Sequence, residues 1–198
     1  MRTPNASVLP QGYRVFLQID LQKNKRLMLW INLLAMIIAA VLCVVGHQVV
    51  PISQIVETGD GALLTLARLG VLLLGTALYV VLHEAVHGIF FRLFGRGVKP
   101  TFGFTGIYAF AASKAYFNRL SYFIIGISPV LLLGVLLLVL NLWLPAAWFW
   151  PIFLIQVTNL SGAAGDFYVS VLLARMPRAL LVQDDGVAMR FYVPDTSV

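Results

Sequence analysis

At 198 residues the chain has room for one domain, or two small ones. Hydrophobic residues make up 60% and charged residues only 11%, where soluble domains hold roughly half and a quarter. A soluble fold this small cannot hide so much apolar surface, so lipid must be part of its solvent. The net charge of +6 does not point to nucleic acid, because the basic residues flank apolar runs instead of forming a stripe with interleaved aromatics.

In chain order, residues 1–26 form a polar lead-in. Within it Gly12 to Leu21 alternates loosely, with Tyr13, Val15, Leu17 and Ile19 on one face, and reads as extended. Asn5-Ala6-Ser7 matches a glycosylation sequon by chance, since it falls on the expected cytoplasmic side. The first apolar run, Leu27 to Gly46, is long enough for a membrane helix, which needs roughly 20 residues. It lies too far into the chain and is too long for a signal peptide, so it reads as a signal anchor. The lone cysteine, Cys43, sits in this run as a small core or lipid-facing side chain.

The second run, Ala62 to Phe94, is long enough to tilt or to protrude from the bilayer. After it, Lys99 to Ala112 is rich in glycine and aromatics and suggests a strand or hairpin. The third run is Leu120 to Leu144, with Pro129 expected to kink it, and the fourth is Trp148 to Ala174. In the tail, residues 176–198, Asp184 and Asp185 beside Gly186 read as a solvated turn. The expected fold is therefore an all-α membrane protein with about four transmembrane helices, spanning residues 27–175, and a short extended or β element between the second and third spans.

Lysine and arginine orient these spans. Arg2, Arg14, Lys23, Lys25 and Arg26 precede the first. Arg92, Arg96, Lys99, Lys114 and Arg119 cluster between the second and third, and Arg175, Arg178 and Arg190 follow the fourth. The loop from His47 to Gly61 has none, and neither does the turn around Pro145. Arg68 breaks the pattern near the start of the second span, where it can snorkel. Both termini are expected in the cytoplasm, with the protein in a bacterial or archaeal cell membrane.

Away from their ends the spans hold very few ionisable residues: Arg68, His83, Glu84, His87 and Asp166. An ionised group at mid-membrane costs roughly 2.5–3.5 kcal/mol even on lenient insertion scales, so such residues suggest function. His83-Glu84-Ala85-Val86-His87 gathers three of them. Positions i and i+4 share a helix face, so His83 and His87 can aim imidazole nitrogens at one metal ion. Zinc acidifies water that it binds, and Glu84, one residue on, is placed to accept the proton during attack on a carbonyl.

A catalytic zinc needs a third protein ligand and an open position. The candidates are His47 and Asp166, and depth separates them. His87 stands five residues before Arg92 and Asp166 nine before Arg175, both towards the cytoplasmic side. At about 1.5 Å per residue, His47 lies most of a bilayer away and reads as an interfacial polar residue. Asp166 is thus the expected third ligand of one zinc per chain. Ser161 to Gly165 let another helix approach closely, or loosen the helix so that Asp166 can turn to the metal. Asn159 can donate an amide hydrogen to a developing oxyanion, or it can serve as polar glue between helices.

A helix bearing His-Glu-x-x-His, then a glycine-rich extended stretch and a later span with an aspartate, resembles the site-2 protease family of intramembrane zinc peptidases. The likeness is closer to a related family of membrane zincins, from about Gly12 to Val193. It includes the helix motif running into Gly88 and Phe91, the step Ser128-Pro129, and the pair Gly165-Asp166. The resemblance implies zinc ligation by His83, His87 and Asp166, with Glu84 as catalytic base and a peptide or membrane-protein substrate. The site-2 proteases carry Leu-Asp-Gly after an Asn and a Pro, whereas this chain has Gly165-Asp166-Phe167 with no proline after Asn159, and it has no room for a PDZ domain. Two other functions fit the same residues: a metal-dependent hydrolase of a different amide or lipid-like substrate, and a non-catalytic metal-binding membrane protein. A transporter fits less well, because no inverted repeat is visible.

Overall fold

Apolar runs almost free of charge become helices because their backbone hydrogen bonds close within the segment. In the computed structural model these are α1 (Lys25–Val49), α2 (Ala62–Phe94) and α3 (Arg119–Trp143), each long and apolar enough to cross a membrane. The structure describes residues 3–55, 61–106, 108–186 and 188–195. Arg2, part of the His47 to Gly61 loop and Ile107 of the extended stretch lie outside the described residues.

The fourth expected span is not one helix. It comprises α4 (Phe149–Gly162) and α5 (Ala164–Ala174), divided at Ala163, whose ψ of 13° leaves the helical range. Gly162 and Gly165 flank the break, and glycine is a poor helix former for entropic reasons. Each piece is shorter than the roughly 20 residues of a full crossing, so among the described residues three helices meet that length instead of four.

Nor is the protein all-α. Strands β1 (Tyr13–Asp20), β2 (Thr101–Phe104), β3 (Ala109–Asn118), β4 (Leu181–Asp184) and β5 (Ala188–Pro194) form one five-stranded sheet in the order β1-β5-β4-β3-β2. Every neighbouring pair is antiparallel. The expected hairpin is β2–β3, with Phe102 opposite Ala111. The tail holds a second hairpin, β4–β5, with Val182 opposite Phe191. Gly186 supplies the positive φ of 85° in the connection. Pairing of β1 with β5, from Tyr13–Pro194 to Asp20–Ala188, ties the lead-in to the tail.

The chain forms two compact units. One comprises Met1–Trp30, Glu84–Pro129 and Asp166–Val198, and it holds the whole sheet. Its core packs Phe91, Phe117, Tyr122, Ile125, Leu173 and Phe191. The other comprises Ile31–His83 and Val130–Gly165. Its smaller core joins Tyr79, Leu133, Leu137, Ile152 and Ile155. In that unit Arg68 is only 6% exposed, so it does not reach outward along the helix as a snorkelling arginine would. It lines a cavity of about 180 Å³ together with Thr65, Leu72, Trp150 and Leu154.

Candidate metal centre

The site grows from the C-terminal part of α2, where one uninterrupted helix carries His83, Glu84 and His87. Helical periodicity stacks His83 and His87 one turn apart on one face. Each ring is held through its Nδ1 atom. The Tyr79 hydroxyl, one turn before His83, lies 2.9 Å from His83 Nδ1. His87 Nδ1 lies 3.0 Å from the backbone oxygen of Ile125 on α3. With Nδ1 engaged in this way, a metal ion would be met through Nε2.

Asp166 occupies the first turn of α5, immediately after the break at Ala163. Its Oδ1 atom stands 3.7 Å from His87 Nε2. Ligand atoms of His83, His87 and Asp166 all lie within 4.8 Å of one another. Three ligands around a single zinc at ~2.0–2.2 Å stand a few ångströms apart, and two imidazoles with one carboxylate are a familiar donor set for zinc. The residues present fit the ion, with both histidines 9% exposed and a hydrogen-bond partner on each.

Glu84 is anchored to the sheet. Its Oε2 accepts the backbone N–H of Ala111 in β3 at 2.7 Å, so the strand fixes the carboxylate beside the two histidines of its own helix. Gly88, directly after His87, allows the Phe102 ring of β2 to lie against α2 where a Cβ would collide with it. The hairpin therefore approaches the helix at the level of the motif.

The remaining sequence candidates sit elsewhere. His47 accepts the backbone N–H of Ile52 at 3.1 Å through Nδ1 and is not in the cluster. Asn159 is fully buried in α4. Its amide donates to Val130 O at 3.2 Å and to Gln156 Oε1 at 3.5 Å, as polar glue between helices would.

Two partners of the cluster, and one buried carboxyl outside it, escaped the sequence reading. Tyr79 had a signal, a phenol four residues before a candidate ligand. The Ile125 carbonyl had a fainter one in Pro129, four residues on. Asp184 had none. It is 7% exposed, takes the Tyr122 hydroxyl hydrogen on Oδ2, and accepts the Gly186 N–H at 2.8 Å on Oδ1. Burial pushes its carboxyl up to about 6, with the Asp185 and Asp166 charges adding to the shift and the two hydrogen bonds opposing it. It is thus not part of a solvated turn.

The family described as "Putative zincin peptidase" (DUF3267) matches residues 76–181, more than half of the chain and the stretch holding all three clustered ligands. The chain belongs to that family. The matched stretch of this zincin-peptidase family member runs from just before Tyr79 to the start of β4. No curated protein and no solved structure matches the chain. The match supports a zincin-type metallopeptidase and carries no link to the site-2 proteases.

Proposed function

We propose that this chain is a membrane-embedded zinc metallopeptidase that hydrolyses peptide bonds at or just inside the cytoplasmic membrane face. One observation carries the reading: the convergence of His83, His87 and Asp166 on a helix-borne His-Glu-x-x-His motif. The three would hold one zinc per chain. When bound, the ion supplies Lewis acidity to water and to the scissile carbonyl. Glu84 accepts the proton from the attacking water and returns it to the departing amine. The N–H of Ala111 holds that carboxylate in place between proton transfers.

The basic residues flanking the apolar runs support cytoplasmic termini. The four-span arrangement is kept as part of this proposal, with α4 and α5 together serving as the fourth crossing. Substrate docking is assigned to the outer edge of the sheet. Strand β2 is the last in the order, and its Phe102 and Phe104 are exposed. An extended substrate segment can add there as a further strand. Replacing Phe104 or Tyr108 should weaken cleavage without changing metal content; unchanged cleavage removes this detail.

The direct test is metal content of the detergent-purified protein. About one zinc per chain is expected, lost in both His83→Ala and Asp166→Ala. Glu84→Gln should keep the zinc and lower peptide cleavage by roughly 10²–10⁴-fold, the usual worth of a general base. Cleavage of a non-peptide amide with none of peptides would instead favour the other hydrolase. Zinc binding with no effect of Glu84→Gln would favour a non-catalytic metal protein.

A further inference from the structure

Pro129 lies inside α3, ten residues from its start, and the helix runs on through it to Trp143. In a regular α-helix the N–H of residue 129 would bond the carbonyl of Ile125. Proline has no N–H, so that carbonyl loses its partner within the helix. Ile125 and Pro129 are almost completely buried, and a buried carbonyl without a partner is costly. Here two side chains replace the missing donor. Ser128 Oγ donates to Ile125 O at 3.0 Å, and His87 Nδ1 lies 3.0 Å from the same oxygen.

A carbonyl oxygen can only accept, so this contact requires the proton of a neutral His87 ring to sit on Nδ1. The lone pair is then on Nε2, the atom that faces Asp166 at 3.7 Å. We infer that Pro129 is a positioning residue for the metal centre: by withdrawing one backbone donor it frees the Ile125 carbonyl to fix the tautomer and orientation of His87. This rests on the zinc-peptidase reading above. It gives Ser128-Pro129 a role that a simple kink does not, since a kink needs only the ring, whereas this role needs only the missing N–H.

Those two requirements can be separated in the full-length protein. Pro129→Val restores the N–H, while the α-hydroxy analogue of valine at the same position replaces it with an ester oxygen and also lacks the ring. Zinc affinity is measured by competition with a chromophoric chelator. Pro129→Val should bind zinc about ten-fold more weakly, the lower end for loss of a ligand's outer hydrogen bond, and the hydroxy analogue should recover the wild-type constant. Equal weakening in both would assign the effect to the ring and overturn the inference, as would no weakening in either. A wild-type protein that binds no zinc removes the peptidase reading and this inference together, whereas normal wild-type binding with unchanged variants removes the inference alone. Should the substituted chains not fold, nitrogen-15 spectra of histidine in the wild-type protein decide: the proton must sit on Nδ1 of His87, and a proton on Nε2 overturns the assignment.

Discussion

In the sheet-bearing unit Phe117, Phe191, Leu180 and Val182 are fully buried, whereas in the other unit Leu74 is 74% exposed and Trp143 85%. Both units are rich in apolar residues, yet only the first uses most of them to make a core. Apolar composition therefore accompanies exposed side chains in one unit and interior packing in the other. Glu84, His87 and Asp166 belong to the better-packed unit, which suits side chains that must be held by their neighbours.

The largest expected effect tests this contrast directly. Phe117 is fully buried, with its ring centroid 5.3 Å from Phe91 and 6.3 Å from Tyr122. Phe117→Ala should cost about 3–5 kcal/mol, while Leu74→Ala in the exposed stretch of α2 should cost about 0.5 kcal/mol or less. Denaturant unfolding in one detergent compares the two. Similar losses would mean that α2 packs against protein where the structure shows it bare.

Asp184 provides the next test, through pH. Its folded value of about 6 lies above the ordinary 3.8, so folding favours the protonated acid. The contribution is fully present below the ordinary value and is lost as pH rises through about 6. Asp184→Asn keeps an acceptor for Gly186 and can donate to Tyr122, but it has no charge to bury. Above that window the variant should be more stable than wild type by on the order of 2 kcal/mol, and below it the two should converge. Parallel melting curves at all pH values would show that the buried carboxyl does not titrate in this way.

A smaller effect distinguishes the two histidines. The partner of His87 is a backbone carbonyl, which can only accept, whereas that of His83 is the Tyr79 hydroxyl, which can donate or accept. To ligate through Nε2, His83 must donate from Nδ1 to the phenol oxygen. Tyr79→Phe removes that acceptor and should weaken zinc binding by about ten-fold, near 1.4 kcal/mol, without unfolding the bundle. Unchanged zinc affinity would show that helix geometry alone orients His83.

The helices and the cluster were legible in the sequence for the same reason: an apolar run is conspicuous, and a charge inside one more so. His83, Glu84, His87 and Asp166 stood out as ionisable residues inside apolar runs. The sheet was hidden because its information is non-local. Strands β2 and β4 have four residues each, and β1 pairs with β5 from the opposite end of the chain. Asp184 was misread because Asp-Asp-Gly is a strong turn signal, and the turn does follow it; nothing local reveals that Tyr122 covers the first aspartate. The division of the fourth span was half visible in Gly162 and Gly165, but continuous apolar content masked it.

Asn159 carries the smallest prediction, and it separates two roles that the sequence left open. In α4 its amide donates to Val130 O and Gln156 Oε1, and no described residue partners its Oδ1. Gly134 makes room for it, since a Cβ there would stand 3.0 Å from Asn159 Nδ2. Asn159→Ala removes two modest hydrogen bonds and also one buried acceptor without a partner, so the net loss should be about 1 kcal/mol. Gly134→Ala should press on the amide and cost a similar amount, but little once Asn159 is already alanine, so the double variant should lose less than the sum. A polar contact between helices predicts this coupling with the turnover number unchanged. An oxyanion donor predicts additive stability and a fall in turnover of ~10²-fold or more, and that pair of results would return Asn159 to the reacting centre.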